Sequence, residues 1–169
     1  MNKSAKSFWS LKMVSPLEPG IVCVNIDRML DFYTEVLGLT FVSDAEASAE
    51  MSTKFGTSPR GFRIIRLQTP CGERIKLVQP KKTVPQQSQI PEWVFEGQGI
   101  AYITFVIADV KEVTMRLKKY GVELMSQEPV EIRKGITAIF SKDPEGNFLE
   151  FVEYADLASY RPDLLKEKS

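Results

Sequence analysis

The chain contains no histidine. That absence removes the Ser-His-Asp and Cys-His nucleophile systems and every zinc motif that uses imidazole. A metal ion here would need an oxygen-rich site, which favours Mg, Mn or Ca over Zn. Excess charge of either sign is also missing. The 22 basic and 22 acidic side chains cancel to zero, which leaves no electrostatic footprint for nucleic acid. Long hydrophobic runs are missing too. The longest, "IAYITFVI" at 100–107, falls far short of the roughly 20 residues that span a bilayer, so no membrane partner is expected. The opening "MNKSAKSFWSLKMV" carries positive charge with no apolar stretch behind it and does not read as a signal peptide. Cysteine is scarce. Cys23 and Cys71 are too few for a disulfide framework, and reduced thiols in a cytoplasmic protein are the expectation.

What is present suits a soluble globular chain: 169 residues, 43 % hydrophobic and 26 % charged. That is enough for one domain or two small halves sharing a core. Residues 1–16 read as an N-terminal arm. "GIVCVNI" (20–26) reads as a strand. "DRMLDFYTEVLGL" (27–39) reads as a helix, with Met29, Leu30, Phe32, Tyr33, Val36 and Leu37 at helical spacing and Gly38 as its stop. A short strand "TFVSD" (40–44) and a polar loop (45–61) follow. "FRIIRLQ" (62–68), the turn "TPCG" and "RIKLVQ" (74–79) spell a hairpin. These make a first module over 17–80. Residues 81–98 read as a linker.

The order then repeats over 99–154. A strand (100–108) leads into a helix (109–122) with Asp109 as N-cap and Gly121 as stop. "ELMSQ" (123–127) reads as a short strand, and "GITAIFSK", "DPEG" and "NFLEFVEY" as a second hairpin. The tail, 155–169, is polar and expected to dock loosely or fray. Asn25 and Asp109, at the two strand-to-helix steps, are 84 residues apart. Gly38 and Gly121 are 83 apart, and the turn glycines Gly72 and Gly146 are 74 apart. Each half therefore reads βαβββ. One such sheet with one helix leaves a sheet face uncovered. Two copies about a pseudo-two-fold can curl that face into a cavity. The predicted fold class is α+β, two βαβββ modules forming a curved mixed sheet around a cavity. A ferredoxin-like α+β domain is the plainer alternative.

"IDRMLDFYTEVLGL", "YITFVIADVKEVTMRLKKYGVEL" and "SKDPEGNFLEFVE" together resemble the vicinal oxygen chelate superfamily over residues 17–153. That superfamily includes glyoxalase I, methylmalonyl-CoA epimerase, extradiol dioxygenases and the bleomycin and fosfomycin resistance proteins. The resemblance implies a divalent metal held by residues on the first and last strand of each module, often His and Glu. The matching positions here are Glu18, Lys76, Tyr102 and Glu150. Glu150 fits the pattern, and Glu18 is an oxygen donor beside it should a metal be present. Lys76 and Tyr102 depart from it. A lysine ammonium has three donors and no acceptor, so it cannot ligate while protonated. The substitution disfavours a divalent cofactor and a conventional metal-dependent glyoxalase I. It points to Lys76 replacing the cation and pairing with Glu150, with Tyr102 nearby.

The plainer readings stand beside these. Glu150 could be a solvated rim acid, Lys76 could extend out of an open cavity, and Tyr102 could be an amphipathic wall residue. Cys23 reads as core, and Cys71 lies in a turn with nothing to activate it. "GQG" (97–99) lacks the third glycine of a dinucleotide motif. For function, the resemblance implies first a lyase- or isomerase-type enzyme, glyoxalase-like or dioxygenase-related. It would bind a small oxygenated metabolite, with Lys76, Glu150 and Tyr102 as catalytic residues. The alternatives are a metal-free ligand-sequestering protein of the bleomycin-resistance type and a non-catalytic interaction protein. Sheet edges left by each module favour a homodimer over a compact monomer.

Overall fold

The computed structural model describes residues 12–82 and 90–165. Most of the expected arm, the middle of the expected linker and the last four residues lie outside that range.

In chain order the elements are β1 (Gly20–Val22), α1 (Ile26–Asp31) continuing into a π-helical turn (Phe32–Val36), β2 (Thr40–Ala47), α2 (Ala49–Lys54), β3 (Phe62–Gln68) and β4 (Arg74–Pro80). The second half has β5 (Tyr102–Val106), α3 (Val110–Lys119), β6 (Val130–Arg133), β7 (Ile136–Lys142), β8 (Phe148–Tyr154), α4 (Leu157–Tyr160) and a 3-10 turn (Pro162–Leu165). The strands form two mixed sheets of identical topology, β1-β4-β3-β2 and β5-β8-β7-β6. In each, the first strand runs parallel to the last, and the last two pair as an antiparallel hairpin. The expected α+β pair of βαβββ modules is what folds. Its strands divide between two four-stranded sheets, with no hydrogen-bonded ladder joining them among the described residues.

The register carries the repeat to single-residue accuracy. Gly20 lies opposite Lys76, and Thr104 lies opposite Glu150. These pairs preserve the spacings of 84 and 74 seen in the sequence. Both helices start on a side-chain cap, Asn25 Oδ1 accepting from Arg28 N and Asp109 Oδ1 from Lys111 N and Glu112 N. Both end at a left-handed glycine, Gly38 at φ 77° and Gly121 at φ 68°.

Three expectations need correction. The loop expected at 45–61 contains the end of β2 and all of α2, because Ser48 caps that helix by accepting from Met51 N at 3.2 Å. The short strand expected at 123–127 is only a bridge between Leu124 and Ser141. The edge strand is β6, which begins just after Pro129, where a missing N–H is tolerated. The helix expected over 27–39 changes to π geometry from Phe32. The described part of the tail takes the docked alternative: it forms α4, and Tyr160 stacks on Tyr154 with ring centroids 3.9 Å apart.

One apolar cluster joins the halves. Ile21, Cys23, Ile65, Leu67, Ile75 and Leu77 face the first helix, and Val110, Leu117, Ile139, Leu149 and Phe151 belong to the same cluster. Leu30, Ile103 and Phe105 pack against it half-buried. Burial pushes the Cys23 thiol up to about 12, so it stays an inert core residue.

The turn Asp143-Pro144-Glu145-Gly146-Asn147 latches the modules together. Glu145 accepts from the backbone N–H groups of Val24 (2.8 Å) and Asn25 (2.7 Å), just ahead of α1. Arg28 Nη2 donates to Pro144 O, and the buried Tyr33 hydroxyl donates to Asp143 Oδ2 at 3.1 Å. In the other direction, Arg116 on α3 donates to the carbonyls of Val36 and Glu35 at the end of the first helix. These bonds fix the second sheet relative to the first.

Candidate functional site

Alternation along the strands leaves each sheet with one face against its helix and one face away from it. The odd-numbered Ile65, Leu67, Ile75 and Leu77 are buried. The even-numbered Arg66, Gln68, Arg74 and Lys76 therefore share the helix-free face of the first module, and all four are half-buried. In the second module, Tyr102, Thr104, Phe140 and Glu150 occupy the corresponding face. Thr104 and Phe140 flank Glu150 in the ladders on either side.

Glu150 sits where the sequence placed it, on the face away from α3. Its carboxylate accepts from Thr104 Oγ1 at 2.7 Å. Tyr102 packs edge-on to Phe140, centroids 5.2 Å apart, and Phe95 packs edge-on to Tyr102 at 5.9 Å. Tyr102 remains 36 % exposed. Tyr154 lies four residues beyond Glu150 on the same face. Its hydroxyl is raised to about 12, first by its hydrogen bond with Tyr160, then by burial and by the charges of Tyr160 and Glu150. The result is one acid bordered by rings and a hydroxyl.

Lys76 does not reach Glu150. Its ammonium pairs with Glu18 at 2.9 Å, in the same module. The expected Lys76–Glu150 pair is thus replaced by an intramodular one. The reason is geometric. Glu18 lies two residues before Gly20, the direct ladder partner of Lys76, and so shares its face. The hydrogen bond from Lys76, aided by the fields of Lys76, Arg74 and Arg66, holds the Glu18 carboxyl below its usual value.

The four positions that match the metal-ligand pattern do not fit a divalent ion. Lys76 offers no lone pair while protonated and is bonded to Glu18. Tyr102 offers a phenol where the pattern has an imidazole or a carboxylate. Among the described residues, no group of three His, Cys, Asp or Glu side chains is close enough to hold a metal. Away from this face, a shallow depression of about 520 Å³ is lined by Lys118 and Leu124–Glu128 and holds none of these side chains. No helix among the described residues is long and apolar enough to cross a membrane.

Arg66, Arg74 and Thr104 share these faces and were not among the residues singled out from the sequence. Their signal was available. In a hairpin closed by "TPCG", Arg66 must fall opposite Lys76, and Gln68 opposite Arg74.

Two βαβββ modules of this topology define a glyoxalase-like protein. The glyoxalase/bleomycin resistance protein/dioxygenase superfamily model matches residues 15–151, and the chain belongs to that superfamily. Among similar solved structures is a glyoxalase family protein from Bacillus cereus, 22 % identical with TM-score 0.69, aligned over 85 % of this chain and 96 % of that one. The trypanothione-dependent glyoxalase I of Leishmania major is 20 % identical with TM-score 0.61, over 88 % and 91 % of the two chains. A glyoxalase I mutant from Zea mays is 17 % identical with TM-score 0.63, and the match covers 84 % of this chain and 45 % of that one. No curated protein matches the sequence. At these identities the structural likeness speaks for the fold.

Proposed function

We propose that the protein binds a small oxygenated metabolite against the helix-free faces of its two modules and moves a proton on it. The reaction is of lyase or isomerase type and does not use a metal ion. In this reading Glu150 removes a proton from the carbon next to a carbonyl and returns it to a neighbouring atom. Lys76, in the equivalent place of the other module, supplies positive charge to the oxygen that becomes negative. Tyr102 orients the compound. The observation that supports the reading is the setting of Glu150: a carboxylate bonded to a single hydroxyl, Thr104, beside the rings of Tyr102 and Phe140.

Proton exchange with solvent is the direct test. A panel of small 2-oxo and 2-hydroxy acids would be incubated with the protein in D2O, with chelator present, and followed by NMR. The reading expects exchange at the carbon beside the carbonyl, lost in Glu150→Gln and slowed in Tyr102→Phe. Exchange that survives Glu150→Gln unchanged would refute the role given to that residue. Saturable binding without exchange would favour the sequestering alternative, for which the partly exposed Tyr102 and the open face around it are the supporting observation.

A further inference from the structure

We propose that the helix-free face of the first module is an oxyanion site, in which Arg66, Arg74 and Lys76 take the carboxylate or phosphate group of the ligand. The proposal rests on reading that face as part of the ligand site, and it adds the chemical class that the ligand must belong to.

Placement is the first observation. Arg66 lies directly opposite Lys76 on neighbouring strands, and Arg74 is next in line on the same face. Like charges directly opposite each other in a sheet repel. All three are half-buried, so water screens them incompletely. The nearby compensation is Glu18, already bonded to Lys76. Among the described residues Arg66 reaches only the Ser43 hydroxyl, at 3.4 Å, and Arg74 Nε donates to Gln68 Oε1 at 3.0 Å. Neither guanidinium forms an ion pair among the described residues.

The same strand supplies the contrast. Arg63, on the opposite face of β3, binds Asp44 through Nε and Nη2 and Asp27 through Nη1. Arg63 is given two carboxylates; Arg66 and Arg74, half-buried on the other face, are given none. A guanidinium is built for bidentate binding of carboxylate or phosphate.

Space is the second observation. Gly20, beside Lys76 in the ladder, has no side chain, and a Cβ built there would meet nothing within 4 Å. The floor next to the ammonium is therefore open. The third observation is Glu18 itself. It lies in irregular chain ahead of β1, and its carboxylate already rests in the combined field of Lys76, Arg74 and Arg66. It marks the place an incoming carboxylate would take, and it competes for it.

The test is calorimetric titration with inorganic phosphate and, separately, with malonate, at low ionic strength. Wild type should bind at least one of them saturably, and the one bound identifies the head group. Arg66→Gln and Arg74→Gln should each weaken it by about tenfold or more. Glu18→Gln should tighten binding, because it removes the internal competitor. Gly20→Val should weaken it while keeping every charge, and Arg63→Gln, an equal loss of charge on the other face, should leave it unchanged. Folding of each variant is checked by circular dichroism. Should Arg66→Gln fail to fold, Arg66→Lys, which keeps the charge and loses the fork, takes its place with a smaller loss. No saturable binding of either anion would overturn the proposal. So would an equal effect of Arg63→Gln, or weaker binding in Glu18→Gln. Anion binding retained in Glu150→Gln, with no proton exchange in wild type, would sink the proposed reaction and leave the oxyanion site standing.

Discussion

Glu145 and Asn25 are 120 residues apart in sequence, and the carboxylate of one accepts the backbone N–H of the other at 2.7 Å. A second oxygen takes the N–H of Val24 at 2.8 Å. The turn at the tip of the β7–β8 hairpin therefore binds the entrance of the first helix. In the first module the matching turn is Thr69-Pro70-Cys71-Gly72-Glu73. Its Cys71, in the place of Glu145, is exposed, and a thiol accepts hydrogen bonds only weakly. The latch is one-sided.

Glu145→Ala should destabilise the protein by about 1–3 kcal/mol, since it leaves two backbone donors without their charged acceptor. Glu145→Gln should lose about half of that. Urea unfolding followed by circular dichroism measures both. A neutral Glu145→Ala would mean that the apolar cluster alone holds the modules.

Asp143 is buried, 4 % exposed, and accepts from Tyr33 OH, the backbone N–H groups of Glu145 and Asn147, and the Asn147 side chain. Asp143→Ala should cost about 3 kcal/mol or more, because several donors lose their acceptor together. Burial raises this carboxyl above its usual value, against those hydrogen bonds. The folded state therefore holds its proton to higher pH than the unfolded state does. Stability should fall as pH rises from the ordinary carboxylate range to the raised folded value. Asp143→Asn should remove that part of the profile. A profile that Asp143→Asn leaves unaltered would contradict the assignment.

Asp44 has the opposite sign. Its hydrogen bond from Arg63 lowers its carboxyl, so its stabilisation is present above the unfolded value and lost as pH falls through the folded one. Arg63→Gln should reduce the loss of stability on acidification, read from urea midpoints between about pH 2 and about pH 7.

A double-mutant cycle between Lys76→Met and Glu18→Gln should show coupling that shrinks with added salt. The cycle between Lys76→Met and Glu150→Gln should show none in the ligand-free protein. Coupling in the second cycle and not the first would restore the pairing that the sequence suggested.

Protein dialysed against Zn, Ni or Mn and then against buffer should retain well under one ion per chain by elemental analysis. The ammonium of Lys76 occupies a ligand position, and no imidazole is available. One tightly held ion per chain, lost in Glu150→Gln, would overturn the metal-free reading and make Glu150 a ligand.

The repeat, and with it the fold, is legible in the order of residues alone. Alternation in "FRIIRLQ", "RIKLVQ" and "NFLEFVEY" follows from strand geometry. Spacings of 84 and 74 residues reappear as the Gly20–Lys76 and Thr104–Glu150 registers, because register is fixed once one face must be buried. Residue order also determined which face Glu150 takes, since Leu149 and Phe151 claim the core. Partners were set by packing in three dimensions. The sequence pattern paired Lys76 with Glu150, because pattern alone does not show that Glu18, just ahead of the adjoining strand, lies nearer. Ladder geometry gives Lys76 to Glu18. "DPEGN" looked like a hairpin turn that leads into a site acid. Packing of the modules made it the latch instead, because that turn meets the open N–H groups of a helix start from the other half of the chain.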